Sequence, residues 1–215
     1  MRRRIRMLGV VCGLAGLLAA CAAPSSRYYS LAQAPTAVAA DESRPTGRTA
    51  PYGVYVQVLG IPAESNRSQL LVRDPAQSPA VEVLNQSLWA APLIDQIQAV
   101  LASRVSARLG APDVQRLPTL VGRPLRQMQV RVTRFDLVWG READLAAVWT
   151  DREPGASDPR ICQARIRVPA AEGVAALVDA QRRAVRVLAD LMARQGAPAQ
   201  PGSPDAGVDA QAGCT

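Results

Sequence analysis

The chain has 215 residues, 25 of them basic and 18 acidic, and every basic residue is an arginine, because lysine and histidine are both absent. That composition excludes histidine metal sites, Ser-His-Asp triads and Schiff-base lysines together. Four of the arginines sit in the first six residues, so the rest of the chain is only weakly basic and offers no case for nucleic acid as a partner.

Those four, Arg2, Arg3, Arg4 and Arg6, open a segment with the layout of a secretory signal. An apolar stretch follows from Met7 to Ala20. It is shorter than the roughly 20 residues a spanning helix needs, and fits a cleavable leader. It closes on Leu18-Ala19-Ala20-Cys21, which resembles a lipobox: a branched residue, two small residues, then the cysteine whose thiol accepts a fatty acyl group. Residues 1–20 are therefore expected to be a lipoprotein signal peptide, with Cys21 the lipid attachment site. Cys12 is a poor rival, because Gly9-Val10-Val11 before it lacks the leucine and the apolar run continues past it. Several acyl chains at about 0.8 kcal/mol per buried methylene make such an anchor effectively permanent. Ala22 stands where aspartate would imply retention in the inner membrane, so the expected location is the outer membrane, periplasmic leaflet, lipid-anchored.

From 21 to 51 the chain is rich in Ala, Pro, Ser and Thr and reads as a tether, with a flexible reach of about 30 Å. Arg27-Tyr28-Tyr29-Ser30-Leu31 interrupts it: two of only four tyrosines stand together, and their strand propensity predicts a short β-segment that docks on the domain.

Residues 52–194 alternate strand and helix. Val54, Val56 and Val58 repeat at period two in a strand over 52–59, ended by Gly60 and Pro62. Two short strands, 69–72 and 81–84, flank the turn signals Asp74-Pro75 and Ser78-Pro79. Pro92 then opens a helix that Gly110 stops. Leu93, Ile97, Val100, Leu101 and Val105 form its buried stripe, with Asp95, Gln98 and Arg104 turned away. Leu125 to Val138 is the longest predicted strand. Its apolar parity flips between Val132 and Phe135, which predicts a bulge at Thr133-Arg134. Strands over 144–150 and 160–168 form a hairpin around Glu153-Pro154-Gly155. A last helix over 172–194 buries Val174, Leu177, Val178, Val185, Leu188, Leu191 and Met192 and leaves Asp179, Arg182, Arg183, Arg186 and Asp190 wet. The sum is an α/β fold: a single domain, a mixed β-sheet packed by two principal amphipathic helices. Residues 195–215, rich in Pro, Gly and Ala, read as a flexible C-terminal tail.

Cys162 in a strand and Cys214 near the C-terminus would share an oxidising periplasm, and a disulfide between them is expected, with two free thiols as the alternative. Asp136, Glu142 and Asp144 lie close in sequence, the spacing that acid-base work would need, but near a strand turn they are expected to be solvated. Phosphate-loop and dinucleotide patterns are absent. No catalytic residue, metal or cofactor is expected.

Asn85-Gln86-Ser87-Leu88-Trp89-Ala90-Ala91-Pro92-Leu93 places a tryptophan just before a proline-opened helix. Read from the residues alone, Trp89 caps the core and Pro92 starts the helix. With Tyr28, Tyr29 and Leu31 shortly after Cys21, and with Asn85, Trp89, Ala90, Pro92 and Leu93 in this order, the chain resembles the ABC-type transport auxiliary lipoprotein family. The resemblance runs from the lipobox to about Arg194. It implies a non-enzymatic outer-membrane lipoprotein that works with an MCE-domain periplasmic protein and an inner-membrane ABC or PqiA-like transporter in lipid movement between membranes. It also implies a ring-shaped homo-oligomer and an interface near the motif residues. The long tail and the Cys162 and Cys214 pair depart from the family pattern and put shared contacts at that end in doubt. The rival readings are an assembly lipoprotein of the envelope without transport, and a hydrolase built on carboxylates.

Overall fold

The computed structural model describes residues 25–32, 50–75, 80–115, 122–194 and 207–215. Cys21, the leader, most of the tether and the start of the tail lie outside the described residues.

Eight strands form one mixed sheet. In chain order they are β1 (Arg27–Tyr29), β2 (Gly53–Gly60), β3 (Gln69–Arg73), β4 (Val81–Trp89), β5 (Leu125–Val138), β6 (Glu142–Arg152), β7 (Arg160–Pro169) and β8 (Asp209–Cys214). The spatial order is β1-β4-β3-β5-β6-β7-β8, with β2 also paired to β5. Two helices, α1 (Leu93–Leu109) and α2 (Val174–Ala193), lie side by side on one face. The architecture is therefore the mixed α/β domain with two helices that the periodicity predicts.

β5 is the spine. Its first half runs parallel to β2, from Gly53↔Leu125 to Val58↔Val130. Its far end meets β3 at Arg73↔Val138. Its other edge is antiparallel to β6 from Gln127↔Arg152 to Val138↔Glu142. The register slips between Val132 and Arg134, so Thr133 is the extra residue of a bulge. Arg126, Met128, Val130 and Val132 face the helices before it, and Phe135 and Leu137 after it. A strand long enough to serve two neighbours must change face once to keep its apolar side inward.

α1 covers β2, whose Val54, Val56 and Val58 are buried against it. Pro92 occupies the cap rather than the first helical position, its carbonyl accepting from the N–H groups of Asp95 and Gln96. Gly110 ends the helix in the left-handed region at φ 60°, a conformation that costs other residues about 1 kcal/mol. Gly53 is needed for closeness instead: a Cβ there would lie 2.5 Å from Val114 Cγ1. α2 is buried around much of its circumference because both the sheet and α1 cover it.

Two sequence expectations are corrected. The tail does not run without order to its end, because β8 pairs antiparallel with β7 from Arg167↔Asp209 to Cys162↔Cys214. Its Asp, Ala, Gln and Gly residues are poor strand formers, and pairing to a preformed edge supplies what propensity does not. β4 also runs to Trp89 rather than stopping at Leu84, since its polar Asn85-Gln86-Ser87 stretch leads into the segment that receives β1.

Candidate docking surface

The sequence-singled residues divide by burial. Leu31, Trp89 and Leu93 are core residues, and Trp89 packs edge-on against Phe135 with ring centroids 6.1 Å apart. Tyr29 is half-buried beside Trp89 in the β1–β4 register. Tyr28, Asn85 and Pro92 are exposed. The motif thus brings together an inner half that builds the corner between β1, β4 and α1, and an outer half on the surface of that corner.

Gln96, which the sequence reading passed over, fastens the corner. Its Oε1 accepts the Leu31 N–H at 2.8 Å and its Nε2 donates to the Ala91 carbonyl at 2.7 Å. Arg182 of α2 adds a second tie, Nε to the Ser30 carbonyl at 2.6 Å. A polar residue on the buried stripe between Leu93 and Ile97 is the sequence signal for such a fastener. β1 is three residues long, and these ties from two helices hold it to the domain.

Gln98 and Arg104 do not simply face solvent. Gln98 Oε1 accepts the Val58 N–H at 3.0 Å, and Gln115 Nε2 donates to the Val56 carbonyl at 2.7 Å. These side chains close part of the outer edge of β2 against further strand pairing. Arg104 reaches across to α2, where Asp190 accepts from its Nε at 2.8 Å and from Arg108 Nε at 2.9 Å. Burial alone would raise the Asp190 pKa, but the bonds and charges of both arginines outweigh it and hold the carboxyl below its ordinary value.

The carboxylates proposed for chemistry are not solvated, which corrects that expectation. Asp136 and Asp144 are buried and stand opposite each other across β5 and β6. Asp136 accepts from Arg73 Nε and Arg134 Nη1, both at 2.8 Å. Asp144 takes both prongs of Arg165, at 3.0 and 2.6 Å. The Asp144 bond is the main reason the Arg165 pKa stands above the ordinary arginine value. Arginines from β3 and β7, distant in sequence, shield the carboxylates that local context would leave wet. A general acid needs a carboxyl free to trade its proton, and these are committed to guanidinium groups. Glu142 is half-buried beside Arg141. The three residues form no acid-base pair in a cleft.

A further ion pair escaped the sequence reading. Arg126 and Asp151 are 1% and 2% exposed, and the guanidinium meets the carboxylate twice, at 2.9 and 2.6 Å. Burial works against the charge on Arg126, but Asp151 outweighs it and Tyr52 adds to the effect, so its pKa is raised. The signal was parity, since Arg126 shares a face with Met128 and Val130, and Asp151 with Ala147 and Trp149.

Cys162 and Cys214 are register partners, and their sulfurs are bonded at 1.95 Å. Ile161 and Thr215 beside them exchange both backbone hydrogen bonds, so the cysteines occupy the closer, non-hydrogen-bonded position of the ladder. Among the described residues no cluster of metal-ligating side chains occurs, and no helix is long and apolar enough to cross a membrane.

The buried carboxylates Asp136, Asp144 and Asp151 are held by arginines, and the signature residues meet at one sheet corner. The chain belongs to the family of ABC-type transport auxiliary lipoprotein components, whose profile it matches over residues 29–193. That span takes in the motif from Tyr29 to Leu93 and ends before β8. Two crystal structures share the fold. One, titled only as an uncharacterized protein, superposes with a TM-score of 0.58 at 16% identity, over 80% of this chain and 99% of its own. The other, a Xanthomonas campestris protein described under the family name DUF330, gives 0.51 at 15% identity, over 76% of this chain and 90% of its own. No curated protein matches the sequence significantly.

Proposed function

We propose that this protein is a non-catalytic, lipid-anchored docking subunit of an intermembrane lipid transport system. In this reading Cys21 carries the acyl groups, and the domain sits on the periplasmic leaflet of the outer membrane. There it assembles with further copies as a ring and presents its surface to an MCE-domain protein served by an inner-membrane ABC or PqiA-like transporter. Membership of an auxiliary lipoprotein family carries the proposal. The commitment of Asp136 and Asp144 to arginines supports a structural rather than a hydrolytic use of those carboxylates.

The mechanism is positional. The acyl chains fix the height of the domain above the bilayer, and β1, held by Gln96 and Arg182, stops the tether from slackening the attachment. The test is capture of the acylated chain from solubilised envelope, followed by identification of the proteins that come with it. Recovery of an MCE protein and a permease is the expected result. Their consistent absence, with the anchor intact, would remove the transport assignment and leave an assembly lipoprotein.

A further inference from the structure

The face of the sheet opposite α1 and α2 carries a band of apolar side chains at its β1 end. Tyr28 pairs with Leu88, Leu88 with Gln69, Leu71 with Val83 and Arg73 with Val81. Register partners point to the same side of a sheet, and residues two apart on a strand do likewise. Tyr28, Leu88, Leu71, Val83 and Val81 therefore share one face, opposite the buried Leu70 and Val72. Tyr28 is 68% exposed and Val81 41%, while the other three are half-buried. Glu82, the nearest acid on β4, pairs with Val72 and so stands on the other parity.

Chain length says what faces this band. Tyr28 is seven residues after Cys21, so even a fully stretched chain places it within roughly 25 Å of the acylated residue. A compact domain of this size is roughly 40 Å across. The β1 corner is then kept close to the bilayer, and among the described residues no other exposed apolar group is so constrained. Tyrosine suits that boundary, with a ring for the acyl edge and a hydroxyl for the headgroups.

We infer that the Tyr28 band is a membrane-contacting surface that seats the domain on the headgroup region of the bilayer. This rests on acylation at Cys21 as proposed above. Its consequence is that the domain has a fixed orientation, with the β6–β7 hairpin tip around Ser157 held away from the lipid.

The test uses the acylated chain in vesicles of phosphatidylethanolamine and phosphatidylglycerol. A nitroxide is attached at Gln86→Cys, exposed on β4 beside the residue that pairs with Arg27, or at Ser157→Cys, both positions being exposed and outside the core. Access of a water-soluble nickel complex to the label is then measured. The expected result is several-fold lower access at 86 than at 157, with Tyr28→Asp raising the value at 86 toward that at 157. Equal aqueous access at both positions overturns the inference. So does strong label-to-label broadening at 86 without lipid protection, which would mean that a second copy covers the band. A chain that fails to join the vesicles at all, and shows no acyl mass on Cys21, defeats the lipoprotein reading itself. That outcome is distinguishable from a bound chain whose position 86 reads as aqueous.

Discussion

Arg126 on β5 and Asp151 on β6 form a two-pronged ion pair inside the helix-covered face of the sheet, on strands whose neighbouring inward residues are Met128 and Trp149. Arg160 reaches the same carboxylate at 3.2 Å and Glu153 at 2.7 Å, so the buried pair is continuous with a partly exposed one.

Removing one partner of such a pair strands a buried charge. Asp151→Ala is expected to destabilise the domain by about 3–5 kcal/mol, whereas replacing Arg126 and Asp151 together with apolar residues of similar volume should recover most of that loss. Urea denaturation of the single and double variants measures both. A single variant as stable as the parent would show that the pair contributes nothing.

Gln181 is the converse case. Its side chain is fully buried in the middle of α2, and neither its oxygen nor its nitrogen finds a hydrogen-bond partner among the described residues. Both groups lose solvation without return, so Gln181→Met, close in shape, is expected to raise stability by about 1–3 kcal/mol. A fall in the urea midpoint would mean that the amide is satisfied by an internal water.

The periodic parts of this fold were legible before any coordinates. The flip between Val132 and Phe135 located the bulge, Gly110 located the end of α1, and valines at period two located β2. What escaped was set by partners far away in sequence. Asp136 and Asp144 looked solvated because Arg73 and Arg165 lie 63 and 21 residues from the carboxylates they pair with. β8 looked like tail because its residues have no strand preference until β7 offers an edge. Asp190 looked wet because helix periodicity cannot say that a second helix bearing Arg104 lies across it. At the corner between β1, β4 and α1 the motif was visible, but its division into core and surface halves depends on the β1–β4 register, which no local pattern encodes.

Asp190 makes the α1–α2 contact sensitive to acid. Its folded pKa is depressed below the ordinary 3.8, so the stability it adds is fully present above that value and is lost as pH falls through the lower folded value. Asp190→Asn should lower stability at neutral pH by about 1–2 kcal/mol and flatten the fall as the pH drops below the ordinary carboxylate value of 3.8. Thermal melts of parent and variant across that range check it. Parallel curves would mean that other carboxylates dominate acid unfolding.

The Cys162–Cys214 bond closes a loop with a sequence separation of 52 residues, which chain-entropy arguments value at about 4 kcal/mol if the whole domain unfolds. The effect of cutting it should nevertheless be local. β8 offers only half-buried Ala210, Ala212 and Cys214 to the core, and its backbone pairs with β7. A dithiol reductant would attack the more accessible Cys214 sulfur, forming a mixed disulfide and releasing the Cys162 thiolate. A second thiol of the reductant then frees Cys214, so that the protein gains two thiols and the reductant ends as a disulfide. The strand, with its weak propensity, should then leave the edge. Hydrogen exchange followed by mass spectrometry is expected to show residues 209–214 and the outer edge of β7 losing protection after reduction, or in Cys214→Ser, while β5 and β6 keep theirs. If β8 stays protected without the bond, backbone pairing alone holds it. If β5 and β6 open as well, the strand belongs to the cooperative core and not to a covalently held edge.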